Sequence, residues 1–170
     1  MKKTFSIVAM AALAAMVIPA ANAATISLTA FMTSAEGPTN TGSPATGAAF
    51  VTVDDVALTL SITMSWTGLT GGNPSAAHIH CCADTLHNAA VVIPFTAFPT
   101  TTSGTYTNTF NISGLSAATI AGIEAGLSYV NIHNAVNPGG EIRGQLAPEP
   151  ATMCLMGAAL AGLGLLRRRR

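Results

Sequence analysis

Apolar and polar residues alternate with period two through the middle of the chain, the pattern of strands that bury one face. The most regular run is Leu58 to Trp66, where Leu58, Leu60, Ile62, Met64 and Trp66 share one side and Thr59, Ser61, Thr63 and Ser65 the other. Ile26–Phe31, Ala49–Val53, Val91–Phe95 and Tyr106–Ile112 repeat the pattern less regularly, and Ser128–His133 and Glu141–Leu146 close it. Asp54-Asp55 is a turn, and Glu36–Gly47 and Gly68–Pro74 have the Gly/Pro/Asn chemistry of loops. Ser116 to Leu127 is the helical candidate: Ser116 is placed to cap it, Ile120, Ile123 and Leu127 share a face, and Gly126 sits near its end. The pattern predicts an all-β fold, an antiparallel Greek-key sandwich or barrel of about seven to eight strands with one short helix. Trp66, ending the cleanest strand on its apolar side, is expected in the core.

The two ends read differently. Residues 1–23 have the form of a signal peptide: Lys2 and Lys3, an apolar stretch from Phe5 to Ile18, Pro19, and the small residues Ala21-Asn22-Ala23 before a signal peptidase cut. Residues 147–170 hold Pro148-Glu149-Pro150, an uncharged stretch over 151–166, and Arg167-Arg168-Arg169-Arg170. As a helix the uncharged stretch reaches about 24 Å against a hydrocarbon core of about 30 Å. Snorkelling Arg stems extend that reach, so a C-terminal transmembrane helix is expected. The Arg cluster belongs on the cytoplasmic side, which leaves the domain outside. Between the ends, residues 24–146 suit one domain.

Charge narrows the partners. Between the ends stand Glu36, Asp54, Asp55, Asp84, Glu124 and Glu141 against Arg143 alone, a net charge of −5. A surface with one cation cannot neutralise a phosphate backbone, which excludes nucleic acid as a partner. No nucleophile–base–orienter set is legible, so a non-catalytic domain is the first reading.

Candidate chemistry lies in three late segments. In His78-Ile79-His80 the alternation puts both imidazoles on the face opposite Ile79. Val130 and Ile132 go inward, so Tyr129, Asn131 and His133 face the other way, as do Glu141, Arg143 and Gln145. A hairpin through Asn137-Pro138-Gly139-Gly140 pairs His133 with Glu141, Asn131 with Arg143 and Tyr129 with Gln145. His78, His80 and His133 therefore form a candidate metal site for copper or zinc, the ions imidazole favours. In this arrangement Glu141 either holds His133 in the ligating tautomer, with Arg143 beside it, or pairs with Arg143 two residues away, which leaves the cluster a structural clamp. The competing reading is that these histidines only hydrogen-bond the Asn134–Gly140 loop. His87 lies in a polar loop and is expected to be solvated. Cys81 and Cys82 follow directly in a chain bound for an oxidising compartment. They can form a vicinal disulfide, pair between molecules, or serve as soft ligands beside His80.

Three resemblances follow from these motifs and the tail. Ala77-His-Ile-His80, then Tyr129-Val-Asn-Ile-His133 and Asn137-Pro-Gly-Gly-Glu-Ile-Arg-Gly-Gln145, resemble the CHRD domain, first described in chordin and widespread in microbial secreted proteins. Cys81-Cys82 departs from that family's commoner small or Gly/Pro residues. The tail resembles the PEP-CTERM sorting signal of exopolysaccharide-producing Gram-negative bacteria. That implies cutting by an exosortase near Pro148-Glu149-Pro150, a membrane-anchored precursor, then a cell-surface or extracellular location, with the exopolysaccharide matrix as a partner. A fainter likeness, to the copper side of Cu/Zn superoxide dismutases, implies His78, His80 and His133 as copper ligands and Arg143 as the cation beside the open metal face. The bridging histidine and zinc-loop ligands of that family are not legible, although Asp84 and His87 occupy the intervening loop.

Overall fold

The computed structural model describes residues 25–38 and 40–149. The predicted signal peptide, the predicted transmembrane helix over 151–166 and Arg167–Arg170 lie outside the described residues. Among those described, no helix is long and apolar enough to cross a membrane.

The described residues form eight strands and one helix: β1 (Ile26–Thr33), β2 (Thr46–Asp54), β3 (Thr59–Thr67), β4 (Pro74–Cys81), β5 (Ala90–Pro94), β6 (Gly104–Asn111), α1 (Ala117–Glu124), β7 (Ser128–Asn134) and β8 (Ile142–Pro148). All pairings are antiparallel, in the order β5-β4-β7-β8-β1-β2-β3-β6. One sheet therefore carries all eight strands and curls into a nearly closed, barrel-like form. Its edge strands β5 and β6 do not pair. The seam between them is filled by aromatic rings, with Phe95 stacked on Tyr106 at 5.2 Å and on Phe110 at 5.7 Å.

The alternation in β3 appears as predicted. Leu60, Ile62, Met64 and Trp66 are buried, with Leu28, Ala30 and Met32 of β1 and Ala49, Val51 and Val53 of β2 on the same inner face. Each fully buried aliphatic side chain contributes roughly 1.5–3 kcal/mol. Trp66 stacks on Phe98 at 4.6 Å and donates its indole N–H to the Thr101 carbonyl at 3.0 Å. Leu58, expected at the start of this strand, instead sits in the turn before it with φ 51°. Gly144 permits the close approach of β8 to β1, because a Cβ there would meet the Phe31 carbonyl oxygen at 2.7 Å.

The Ser116 hydroxyl accepts from Thr119 N and caps α1. Ile120 and Ile123 face the core, but Leu127 lies beyond the helix end and is exposed. Gly126, at φ 80°, turns the chain out of the helix into β7. Pro148-Glu149 does not break the structure: Pro148 ends β8 opposite Leu28, and Glu149 N donates to the Ser27 carbonyl at 3.2 Å. A strand end tolerates proline, which has no N–H to contribute.

Candidate metal centre

β4 and β7 are neighbours, in a register that sets His78 opposite Asn131 and His80 opposite Tyr129, with His133 one step along opposite Ala76. Inward-facing Ala77, Ile79, Val130 and Ile132 fix this face by alternation, so His78, His80, Asn131 and His133 all stand on the outer side of the barrel wall. A register shift of β4 against β5 falls between Ile79 and His80, the kind of irregularity that re-aims a side chain.

The outer face is covered. Tyr129, Asn131 and Arg143 are all buried, as is His80. The cover is the loop from Cys82 to Ala89, with the hairpin around Pro138 beside it. Three contacts pin the loop down: Ala83 N to Leu127 O at 2.8 Å, Gln145 Nε2 to Ala83 O at 2.9 Å, and Ala89 N to the Tyr129 hydroxyl at 3.1 Å.

The structure brings His78, His80 and His133 together. One ring nitrogen from each lies within 4.8 Å of the others. Backbone carbonyls decide which nitrogens are free. His80 Nδ1 lies 2.9 Å from the Ala89 carbonyl, and His133 Nδ1 lies 2.8 Å from that of Pro138. A carbonyl only accepts, so both Nδ1 atoms carry the proton and both Nε2 atoms present a lone pair. His78 Nδ1 lies 3.2 Å from His133 Nε2. Burial, then the neighbouring His133 and His80, lowers the pKa of His78 below 6.5. Burial also lowers that of His133, against the Pro138 hydrogen bond, with His80 acting in the same direction as burial. His78 and His133 thus favour the neutral imidazole, the form that binds metal.

Two expected supporting residues lie elsewhere. Glu141 is buried away from His133. Its carboxylate accepts from Ser43 Oγ at 2.5 Å, Thr70 N at 2.7 Å, Gly71 N at 3.1 Å and Asn134 Nδ2. Burial pushes this carboxyl up, but these hydrogen bonds outweigh it and hold the pKa below 4.5. The tautomer of His133 is set by Pro138 instead. Sequence alternation could not foresee this, because Glu141 lies in the bend before β8 and outside the strand. Arg143 does not border the histidines either. Its guanidinium lies 3.4 Å over the Tyr129 ring and donates to the Asp84 and His87 carbonyls at 3.0 and 3.1 Å, while Tyr129 stands between it and His80. Asn131 and Tyr129 pair with Arg143 and Gln145 as predicted.

His87 is exposed and hydrogen-bonded to Asp84 at 2.6 Å, apart from the cluster. Cys81 and Cys82 are joined Sγ to Sγ, against α1 at Gly122. The residues that sequence reasoning missed are Asn131, whose amide oxygen meets two of the rings, and Ala89 and Pro138, whose carbonyls accept from the ring nitrogens. Asn131 was legible only as a polar residue on the histidine face.

Residues 28–146 match the CHRD domain, and residues 146–170 match the PEP-CTERM protein-sorting motif. Comparison with curated proteins and with solved structures finds no match.

Proposed function

The chain belongs to the CHRD domain family and carries a PEP-CTERM sorting motif, and from that premise we propose that it is an exported surface domain that binds one copper or zinc ion through His78, His80 and His133. The sorting motif implies export, a membrane-anchored precursor and processing by an exosortase. Residues 1–23 are the signal peptide that signal peptidase removes, and residues 151–166 hold the precursor in the membrane until the tail is cut. The mature domain then stands at the cell surface or in the exopolysaccharide matrix, with no catalytic role of its own.

One observation carries the metal reading: three imidazoles converge, and backbone carbonyls orient two of them so that unprotonated Nε2 atoms face inward. Lone pairs that converge in a half-buried site call for a cation. Imidazole suits both copper and zinc, and copper would add one-electron redox chemistry where zinc would only cross-link β4 to β7. The superoxide dismutase likeness extends to the three histidines but not to Arg143, which is engaged on the far side of Tyr129.

A second reading rests on His133 Nδ1 and Pro138 O. That contact ties the hairpin to β7 with or without an ion, so the histidines serve as a structural clamp. Metal analysis of the full-length chain, purified in mild detergent and dialysed against copper or zinc, separates the two. About one equivalent retained after dialysis supports the metal reading. None retained leaves the clamp.

A further inference from the structure

We propose that the side-chain oxygen of Asn131 is a fourth donor to the ion held by His78, His80 and His133, which makes the centre a three-nitrogen, one-oxygen site. This inference rests on the metal-binding reading and adds a ligand that the histidine pattern does not contain.

Asn131 is 3% exposed and lies directly opposite His78 in the β4–β7 pairing. Its Oδ1 is 3.1 Å from His80 Nε2 and 2.8 Å from His133 Nε2. In the neutral rings neither nitrogen has a proton to offer, because each ring spends its N–H on a backbone carbonyl. An amide oxygen has only lone pairs. His78 Nδ1 can donate to His133 Nε2, but His80 Nε2 and Asn131 Oδ1 then still meet as two acceptors with no donor between them, an arrangement that is costly when buried and that a cation resolves.

The spacings agree. In a tetrahedral zinc site with bonds of about 2.0–2.1 Å, neighbouring donor atoms stand about 3.3 Å apart. His80 Nε2, Asn131 Oδ1, His133 Nε2 and His78 Nδ1 form a chain with steps of 3.1, 2.8 and 3.2 Å. The three histidines each offer a nitrogen within 4.8 Å of the others, and Asn131 Oδ1 lies within 3.1 Å of Nε2 on both His80 and His133. Gly140 packs against the other half of the amide, where a Cβ would meet Asn131 Nδ2 at 3.0 Å.

The alternative is an amide turned end for end, its NH₂ donating to both Nε2 atoms as a metal-free clamp. Asn131→Asp and Asn131→Leu distinguish the two in the full-length chain in mild detergent, with circular dichroism to establish the β fold. Zinc is titrated at about pH 7.5, where aspartate is ionised and accepts only. A ligating oxygen predicts that the Asp variant binds at least as tightly as the unaltered protein and that the Leu variant loses about tenfold or more. An Asp variant weakened as much as Leu overturns the proposal in favour of the clamp. Both variants binding like the unaltered protein overturn it while the three-histidine reading stands, and no binding by the unaltered protein overturns both. A crystal structure of the zinc-loaded protein gives an answer that needs no variant. Zinc about 2.0–2.2 Å from Asn131 Oδ1 is expected, and a separation beyond about 3 Å contradicts it.

Discussion

The phenol ring of Tyr129 lies flat against the imidazole of His80, centroids 4.7 Å apart and planes 5° from parallel. The same tyrosine accepts from Ala89 N at 3.1 Å, and the Ala89 carbonyl in turn lies 2.9 Å from His80 Nδ1. Ring and loop thus hold His80 together, by stacking and by fixing its tautomer. Tyr129→Phe keeps the stack and removes the hydroxyl, leaving a loop N–H without its partner. It is expected to cost about 1–2 kcal/mol in urea unfolding and to weaken metal binding only modestly.

Glu141 makes the opposite prediction. It anchors the loops at Ser43 and Thr70–Gly71 to Asn134, and its carboxylate makes no hydrogen bond to a histidine. Glu141→Ala strands those donors and should destabilise the domain by about 3 kcal/mol or more. Metal affinity of the molecules that remain folded should stay within about threefold of the original. A Glu141→Ala protein that is stable but has lost its metal would restore the carboxylate to the site.

Acid acts on the metal-free domain in two steps. His78 and His133 have folded-state pKa values below the ordinary 6.5, so the unfolded chain binds more protons between those values. Stability is therefore present above pH 6.5, falls as the pH drops through the folded values, and then levels off. Glu141 repeats the sign lower down: its contribution is present above 4.5 and is lost as the pH falls through its own depressed value. Urea midpoints measured from neutral to acid pH check both limbs. Replacing His78 and His133 with Gln should flatten the upper one alone.

In the barrel wall, Trp66→Ala should cost about 3–5 kcal/mol, since the indole is 3% exposed and stacked on Phe98. Blue-shifted tryptophan fluorescence that moves to the red only on unfolding is the matching signature. A red-shifted indole in the folded protein would mean that the β3 register is wrong.

Much of this was legible because period-two alternation needs only neighbours in sequence. It located Trp66 in the core, set His78 and His80 on one face, and gave the Asn131–Arg143 pairing of β7 with β8. It failed where a residue leaves the strand. Glu141 sits one position before β8, free of the pleat, and its carboxylate follows the N–H groups of loops 70 and more residues away in sequence. The fate of the outer face was not legible either, because the cover comes from a loop whose path depends on Leu127, Tyr129 and Gln145 rather than on its own pattern. The carbonyls of Ala89 and Pro138 are backbone atoms, and no residue type announces them.

Three histidines binding one ion is the proposed central property of the domain. The direct measurement is calorimetric titration of the full-length chain with Cu(II) and Zn(II) at about pH 7.5, repeated with His78→Ala, His80→Ala and His133→Ala. One equivalent bound more tightly than about 1 μM, weakened about tenfold or more by each substitution, is the predicted result. Binding no tighter than about 10 μM, or tight binding indifferent to His133, would contradict it.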